Sequence, residues 1–266
     1  MKKTPRPIAF ILASTNHGSM LVNRFDYRLT DRGGYGMGFQ LLNASSFDQA
    51  EVDALLQLLL MRKQHFGNGV IAIDCGANIG VHTIEQAKLM HGWGEVVAIE
   101  AQERLFYALA GNITLNNCFN ARAIWAAVGE KEGVIQVPVP DYFKPSSFGS
   151  LEIRKTESTE FIGQEIDYSE KSTQPTRMMS IDGMGLHRAD LIKIDVEGME
   201  MEVLRGAVST IQKHKPLLVI EKIKTNEKEL NEFLLSRGYK IFPLGINLLA
   251  IHESDPVASM VKVEAS

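Results

Sequence analysis

The sequence predicts an α/β fold: a mostly parallel sheet with helices on both faces, preceded by a β-hairpin and a helix. Three observations predict it. From Val70 onward, short runs of Val, Ile and Leu alternate with stretches of helical period, the rhythm of βαβ units. The first run ends in Asp74-Cys75-Gly76-Ala77-Asn78-Ile79-Gly80, at the carboxyl end of a strand, where open α/β sheets bind their ligands. The composition is that of a globular chain, with 45% hydrophobic and 23% charged among 266 residues, enough for one large α/β unit or two small ones.

Taken in order, residues 7–13 and 19–27 are apolar runs around Ser14-Thr15-Asn16-His17-Gly18, which is turn chemistry, so a hairpin lid or flap is expected. Asp48 with Glu51 reads as a capping box, and Val52, Leu55, Leu56, Leu59 and Leu60 recur at helical spacing to about His65. The strand runs are 70–73, 96–99, 123–128, 191–194 and 217–220. A terminal pair, 241–242 and 248–251, is broken by Pro243 and Gly245 and should close the sheet edge as an antiparallel hairpin. Helices are expected over about 79–90, 102–116, 198–214 and 226–236. Residues 129–177, rich in Ser, Thr, Gly, Pro and charge, are too long for an ordinary connection and read as an insertion carrying substrate contacts or a lid. The chain thus divides into 1–66, a hairpin and helix packed on or capping the rest, and a main domain over 67–266.

Composition narrows the partners. Lys and Arg number 28 and Asp and Glu 32, for a net charge of −4, which argues against general nucleic-acid or membrane binding and for a small-molecule partner. Cys75 and Cys118 lie far apart without a CxxC pair, so neither a disulfide framework nor a zinc site is suggested. Met1-Lys2-Lys3 before the apolar run Ile8 to Ala13 is too short for a secretory signal and is read as a strand. A cytoplasmic location is expected. The apolar residues of the N-terminal hairpin would serve a homodimer or a lid equally well.

The chemistry lies in the glycine segment. Gly76 and Gly80 allow a tight turn and a close ligand approach, and Asn78 can cap the helix that follows. A dinucleotide site would need G-x-G-x-x-G aimed at a pyrophosphate, whereas this segment lacks the second glycine and carries Asp74. Negative charge there suits a cationic ligand. Glu100 ends the next strand, where a carboxylate can accept hydrogen bonds from both hydroxyls of a ribose. A nucleoside with a positive charge and no pyrophosphate describes S-adenosylmethionine. Taken singly, each residue also has a bland reading: a helix-dipole partner, a solvated strand end, an ordinary turn.

At this point the chain resembles the FkbM-type family of class I methyltransferases. Three segments carry the resemblance: VIAIDCGANIGVHT from Val70 to Thr83, residues 112–129 with NITLNN and AAVG, and SIDGMGLHRADLIKIDVEGMEMEVLRGA from Ser180 to Ala207. It covers about 70–252. It implies a Rossmann-like, seven-stranded sheet of order 3-2-1-4-5-7-6 and methyl transfer from S-adenosylmethionine, with S-adenosylhomocysteine as product, usually to a hydroxyl of a sugar or another small molecule. By position, Asp74, Gly76, Ala77, Asn78 and Gly80 would hold the methionine and ribose end of the cofactor, Glu100 the ribose hydroxyls, and Asn116, Trp125 and Ala126 the adenine. Trp125 departs from the small or polar residue of many relatives, and core packing is its alternative reading.

Asp195 and Glu197 follow the fourth strand and Glu221 the fifth, so three carboxylates should converge where the methyl is transferred. Asp195 is the candidate for acceptor positioning or general base, supported by Glu197 and Glu221. No metal is assigned, although clustered acids can bind one. Glu200 and Glu202 are read as decorating the next helix, Lys193 as pairing with an acid, His82 as a structural hydrogen-bonder, and Ser146 to Ser150 as a segment near the acceptor. The sequence thus points to an O-methyltransferase acting on a sugar or secondary metabolite. A nicotinamide-dependent oxidoreductase on the same sheet and a non-catalytic cofactor-binding protein are the alternatives.

Overall fold

A computed structural model describes residues 6–31 and 33–261; the leading Met1 to Pro5 weighed as a signal segment and the last residues of the 67–266 division lie outside the described residues. The central sheet has seven strands: β5 (Val70–Cys75), β6 (Gly94–Glu100), β7 (Ala121–Trp125), β11 (Leu191–Ile194), β12 (Leu217–Glu221), β13 (Tyr239–Leu244) and β14 (Asn247–His252). They are arranged β13-β14-β12-β11-β5-β6-β7. Counted from β5 this is the order 3-2-1-4-5-7-6. The first five strands pair in parallel, while β14 runs antiparallel to both β12 and β13.

Every residue of β5 and β11 is buried, which is why these strands read as unbroken apolar runs rather than alternating ones. Their two faces feed two cores. On one, Val70 and Ala72 pack with Val81 and Ile84 of α3 (Val81–Leu89) and with Met20, Leu41, Val52, Leu55 and Leu59 of the N-terminal segment. On the other, Ile73 and Cys75 pack with Val203, Leu204, Ile211, Leu230 and Leu234. The helices α4 (Glu103–Leu115) and α7 (Glu227–Leu235) fall close to their expected ranges.

Four features differ from the sequence reading, each for a local reason. The helix expected over 198–214 is two, α5 (Glu200–Arg205) and α6 (Val208–His214). Gly206 is pressed against the Gly129 carbonyl, and the Asp182 carboxylate accepts the amide N–H of Ser209 at 2.9 Å and of Thr210 at 2.7 Å, starting a new helix. The run 123–128 divides after Trp125, where the Ala126 amide turns to the Glu100 carbonyl, and β8 (Ala127–Val128) leaves for a second sheet. That sheet, of order β8-β10-β9, is built from β9 (Gly133–Pro138) and β10 (Thr173–Met179), so the 129–177 insertion starts and finishes in strands. The capping box does not form: Asp48 sits in the left-handed region at φ 37° with its carboxylate on Gln40, and Glu51 turns toward His82 and Asn247.

The N-terminal hairpin is β1 (Phe10–Thr15) with β2 (Gly18–Asn23). A second hairpin, β3 (Arg28–Thr30) with β4 (Gly33–Tyr35), and the helix α1 (Met37–Ala44) follow it before α2 (Gln49–Phe66). These short pieces lie outside the sequence reading, because three-residue strands, one of them opening on Gly33-Gly34 and followed by Gly36, have no readable period. No helix among the described residues is long and apolar enough to cross a membrane. Cys75 and Cys118 are both free and buried.

Candidate active site

A cleft of about 650 Å³ opens at the carboxyl ends of β5, β6, β11 and β12, a size within the range of small-molecule sites. Its floor is the loop between β5 and α3. Gly76 adopts φ +80°, and a Cβ there would lie 1.7 Å from the Asp195 carbonyl oxygen, so only glycine lets the loop lie against the end of β11. Asn78, also left-handed at φ 51°, accepts the Ile79 amide at 2.8 Å, leaving Gly80 rather than Asn78 as the residue that starts α3.

Glu100 at the tip of β6 is held by this loop. Its Oε2 accepts the Asn78 amide at 2.9 Å and its Oε1 the Gln102 amide at 2.7 Å. Burial nonetheless pushes its carboxyl up to about 7, the two amides offsetting only part of the desolvation. Asp74 lies beneath the loop, 1% exposed; its Oδ2 accepts the Thr83 hydroxyl at 2.6 Å, and its Oδ1 is buried without a partner.

The opposite wall is built of charge pairs. Lys193, inside β11, donates to Asp195 at 2.8 Å, and Asp195 with the neighbouring Asp74 and Glu51 outweighs its burial, holding its ammonium firmly protonated. Lys224 contacts Glu197 at 2.6 Å and Glu160 at 3.3 Å, and donates to the Ser150 carbonyl at 3.0 Å. Glu197 sits at φ 56°, a conformation a glutamate rarely adopts, and burial together with Asp195 pushes its carboxyl well above the usual range. Burial, with repulsion from Asp195 and Glu200, pushes Glu221 up to about 7, and its Oε2 is buried without a partner. Asp195, Glu197 and Glu221 each offer one oxygen within 4.8 Å of the others, but lysines already answer the first two.

Helix α2 reaches this wall from the N-terminal segment. Glu51 contacts His82 Nε2 at 3.2 Å through Oε1 and accepts the Asn247 amide at 2.8 Å through Oε2. Burial would raise it, yet the His82 contact and the Lys193 ammonium hold it at about 2.

Of the residues expected at the site, Gly76, Ala77, Asn78, Glu100, Ala126, Asp195, Glu197 and Glu221 line the cleft together. Asp74 lies under its floor, and Gly80 packs against Leu109. Trp125 and Asn116 fall outside the lining. The Trp125 indole N–H donates to the Ala101 carbonyl at 3.1 Å and its ring stacks on Phe106, while the Asn116 amide, at the end of α4, donates to the Ser19 carbonyl at 2.9 Å and ties down the hairpin. Ser147, Gly149 and Ser150 line the cleft from the insertion.

Sequence reasoning missed Glu51, Lys224 and Asn247, gave His82 only a structural role, and placed Glu200 on a helix surface. Glu200 is 1% exposed and braces the 196–198 turn, accepting the Val196 and Gly198 amides at 3.3 and 3.1 Å. A lysine between apolar neighbours, as at 193, was the one visible signal of the charge network.

Residues 74–241 match the model of the methyltransferase FkbM domain. Among curated proteins, Methyltransferase 1 of Beauveria bassiana (strain ARSEF 2860) is 25% identical over 154 residues, 53% of this chain and 59% of that protein. Methyltransferase sdnD of Sordaria araneosa is 25% identical over 157 residues, 50% of this chain and 59% of that protein. The matches thus span about three-fifths of the length of either relative. Among solved structures, the methyltransferase FkbM of Methylobacillus flagellatus KT aligns with a TM-score of 0.46 and 20% identity over 70% of this chain and 43% of its own. A putative caffeoyl-CoA O-methyltransferase from Staphylococcus aureus aligns with a TM-score of 0.48 and 14% identity over 80% and 88%.

Proposed function

Because the chain belongs to the FkbM methyltransferase family, we propose that it transfers a methyl group from S-adenosylmethionine to a hydroxyl oxygen of a small acceptor, a sugar or a secondary metabolite. The observation that carries this reading is the Glu100 carboxyl at the rim of the glycine turn. Each of its oxygens accepts one backbone amide, which leaves the second lone pair of each for a ribose hydroxyl.

The donor set suits that cofactor. Asp74 places an unpartnered buried oxygen under the loop, and a cluster of carboxylates favours a sulfonium over a pyrophosphate. Ala77 and Asn78 would border the methionine and ribose end, with Ala126 beside the base. The bound cofactor supplies an electrophilic methyl. The chain supplies approach geometry: Asp195, fixed by Lys193, and Glu221 would orient the acceptor hydroxyl in line with the breaking bond. Ser147, Gly149 and Ser150 would close the cleft from the insertion and exclude water. The net charge of −4 supports a small acceptor rather than a polyanion, and two buried free cysteines fit a reducing, cytoplasmic setting.

Two measurements test the reading. Calorimetry should detect S-adenosylhomocysteine binding and none of NAD, and methyl-labelled S-adenosylmethionine should label a hydroxyl of at least one member of a monosaccharide and metabolite panel. Binding of NAD alone would overturn it in favour of an oxidoreductase.

A further inference from the structure

We propose that His82, oriented by Glu51, is the base that receives the acceptor's hydroxyl proton; this deepens the methyl-transfer reading and rests on it. His82 stands in the first turn of α3, one side on the glycine loop and the other on the wall of charge pairs, and lines the cleft. Its ring is met by a carboxylate and an aromatic edge, and the carboxylate is itself fixed from a further strand. Glu51 of α2 lies 3.2 Å from Nε2, Asn247 of β14 fixes the other oxygen of that carboxylate at 2.8 Å, and Phe47 meets the ring edge-on at 6.4 Å.

A neutral imidazole has one N–H and one lone pair. Nε2 faces Glu51 at 3.2 Å with no hydrogen bond formed between them, and we assign the ring N–H to that nitrogen, which leaves the lone pair on Nδ1. A base oriented by a carboxylate that is itself oriented by a third group is the arrangement that activates oxygen nucleophiles in unrelated enzymes. In the reaction, the hydroxyl proton passes to Nδ1 as the new C–O bond forms, while the C–S bond breaks with its electron pair remaining on sulfur. Glu51 then faces an imidazolium, which later releases the proton to water.

The charged groups around the ring fit this assignment. Lys193 on β11 keeps Glu51 ionised, so the carboxylate remains able to stabilise the imidazolium. Asp195 and Glu197, both just after β11, are each engaged by a lysine at 2.8 and 2.6 Å. Asp74 on β5 is taken up by Thr83 of the same helix as His82. Glu221 on β12 faces the same space and is the rival proton acceptor.

The test has an arm that needs no acceptor. In the ¹⁵N-histidine-labelled protein, with and without S-adenosylhomocysteine, nuclear magnetic resonance should show the His82 ring protonated at Nε2 with its lone pair on Nδ1, and Glu51→Gln should abolish that preference. A ring protonated at Nδ1 instead overturns the proposal. In the second arm, His82→Gln should bind S-adenosylhomocysteine within about threefold of wild type while turnover on the monosaccharide panel falls by roughly 100-fold or more. Added imidazole should partly restore His82→Ala, which a purely structural histidine would not permit. Glu51→Gln, a positioning variant, should lower kcat with KM unchanged. A His82→Gln enzyme within about tenfold of wild-type turnover, with Glu221→Gln the more damaged, transfers the role to Glu221 and overturns the proposal. Equal loss of cofactor affinity and turnover also overturns it, making His82 a cofactor ligand. A wild-type protein that binds no S-adenosylhomocysteine instead fails the methyl-transfer reading itself, whatever the tautomer.

Discussion

The two walls of the cleft answer buried carboxylates by different means. On the glycine-loop side Glu100 and Asp74 are met by neutral donors fixed in the fold, two backbone amides and the Thr83 hydroxyl. On the facing wall Asp195, Glu197 and Glu51 are met by the side chains of Lys193, Lys224 and His82 rather than by backbone groups. Backbone donors fix a shape and cost nothing to reorganise; charged partners fix a balance that shifts when a proton or a ligand arrives. The first wall therefore suits a ligand of constant form and the second an acceptor that loses a proton on it.

The sharpest way to break this comparison is to remove a cation. Lys193 is 3% exposed, and Lys193→Met leaves Asp195 and Glu51 facing each other without it. Breaking a buried pair typically costs 3–5 kcal/mol, and because Asp195 is one-third exposed to water the expected loss is about 3 kcal/mol in chemical denaturation. A loss below roughly 1 kcal/mol would mean that the wall does not depend on paired charge. The counterpart on the first wall is Glu100→Ala. It should weaken S-adenosylhomocysteine by about 1–3 kcal/mol in calorimetry, while Lys224→Met, across the cleft, leaves that affinity nearly unchanged. Equal losses would erase the distinction between a cofactor wall and an acceptor wall.

A further variant tests how the N-terminal segment and the insertion are joined. Asp26 is buried; its Oδ2 accepts the Gly38 amide at 3.2 Å and its Oδ1 the Phe148 amide at 3.1 Å, and burial pushes its carboxyl up to about 7 from 3.8 despite them. The folded protein therefore holds this proton between about pH 4 and 7, where the unfolded chain has released it, so stability from this group is present below pH 4 and is lost as pH rises through 7. Asp26→Asn keeps one acceptor and should cost about 1–2 kcal/mol at pH 4. It should also flatten the decline toward neutral pH, measured as Tm across that range. Glu51, held at about 2 by His82 and Lys193, works in the opposite sense: its contribution is present above 4.5 and is lost only as pH falls through 2. A wild-type Tm that rises between pH 4 and 7 by as much as the variant's would remove Asp26 from this account.

The same contrast explains what was legible in the sequence. The glycine-loop wall follows from contiguous signals: a buried strand, an acid, two glycines and a helix over Val70 to Leu89, and an acid at the next strand tip; the sheet order is what the resemblance to the FkbM-type family implies, not something these signals carry. Asn116 and Trp125 adjoin that wall in sequence, yet one is drawn to the Ser19 carbonyl and the other to the Ala101 carbonyl, a choice made by tertiary contacts. The second wall is assembled from α2, β11 and the turn after it, the β12–α7 connection, β14 and the insertion. Glu51, Lys224 and Asn247 carry no local pattern there, and the Asp48–Glu51 spacing read as a capping box is a pair whose members face different partners. Splitting of the 198–214 helix depended likewise on Asp182, distant in sequence and near in space.

The smallest effect should come from Glu160→Gln, at the mouth of the cleft. Glu160 joins three segments: it accepts from Arg28 at 3.2 Å and the Tyr35 hydroxyl at 2.9 Å, and contacts Lys224 at 3.3 Å. It is 34% exposed, so water screens these pairs, and global stability should move by no more than about 0.5 kcal/mol. Its partners nonetheless lie on the second hairpin and the β12–α7 connection, tying both to the insertion, and a glutamine keeps the hydrogen bonds while losing the charge that gathers two cations. Hydrogen exchange of the amides over 151–162 should therefore quicken several-fold while β5, β6 and β11 stay as protected as in wild type. Unchanged exchange in the insertion would show that the Glu152 carboxylate, which accepts the Glu160 amide at 2.9 Å, together with the backbone, holds this segment without the charge, and the mouth of the cleft would then belong with the rigid wall.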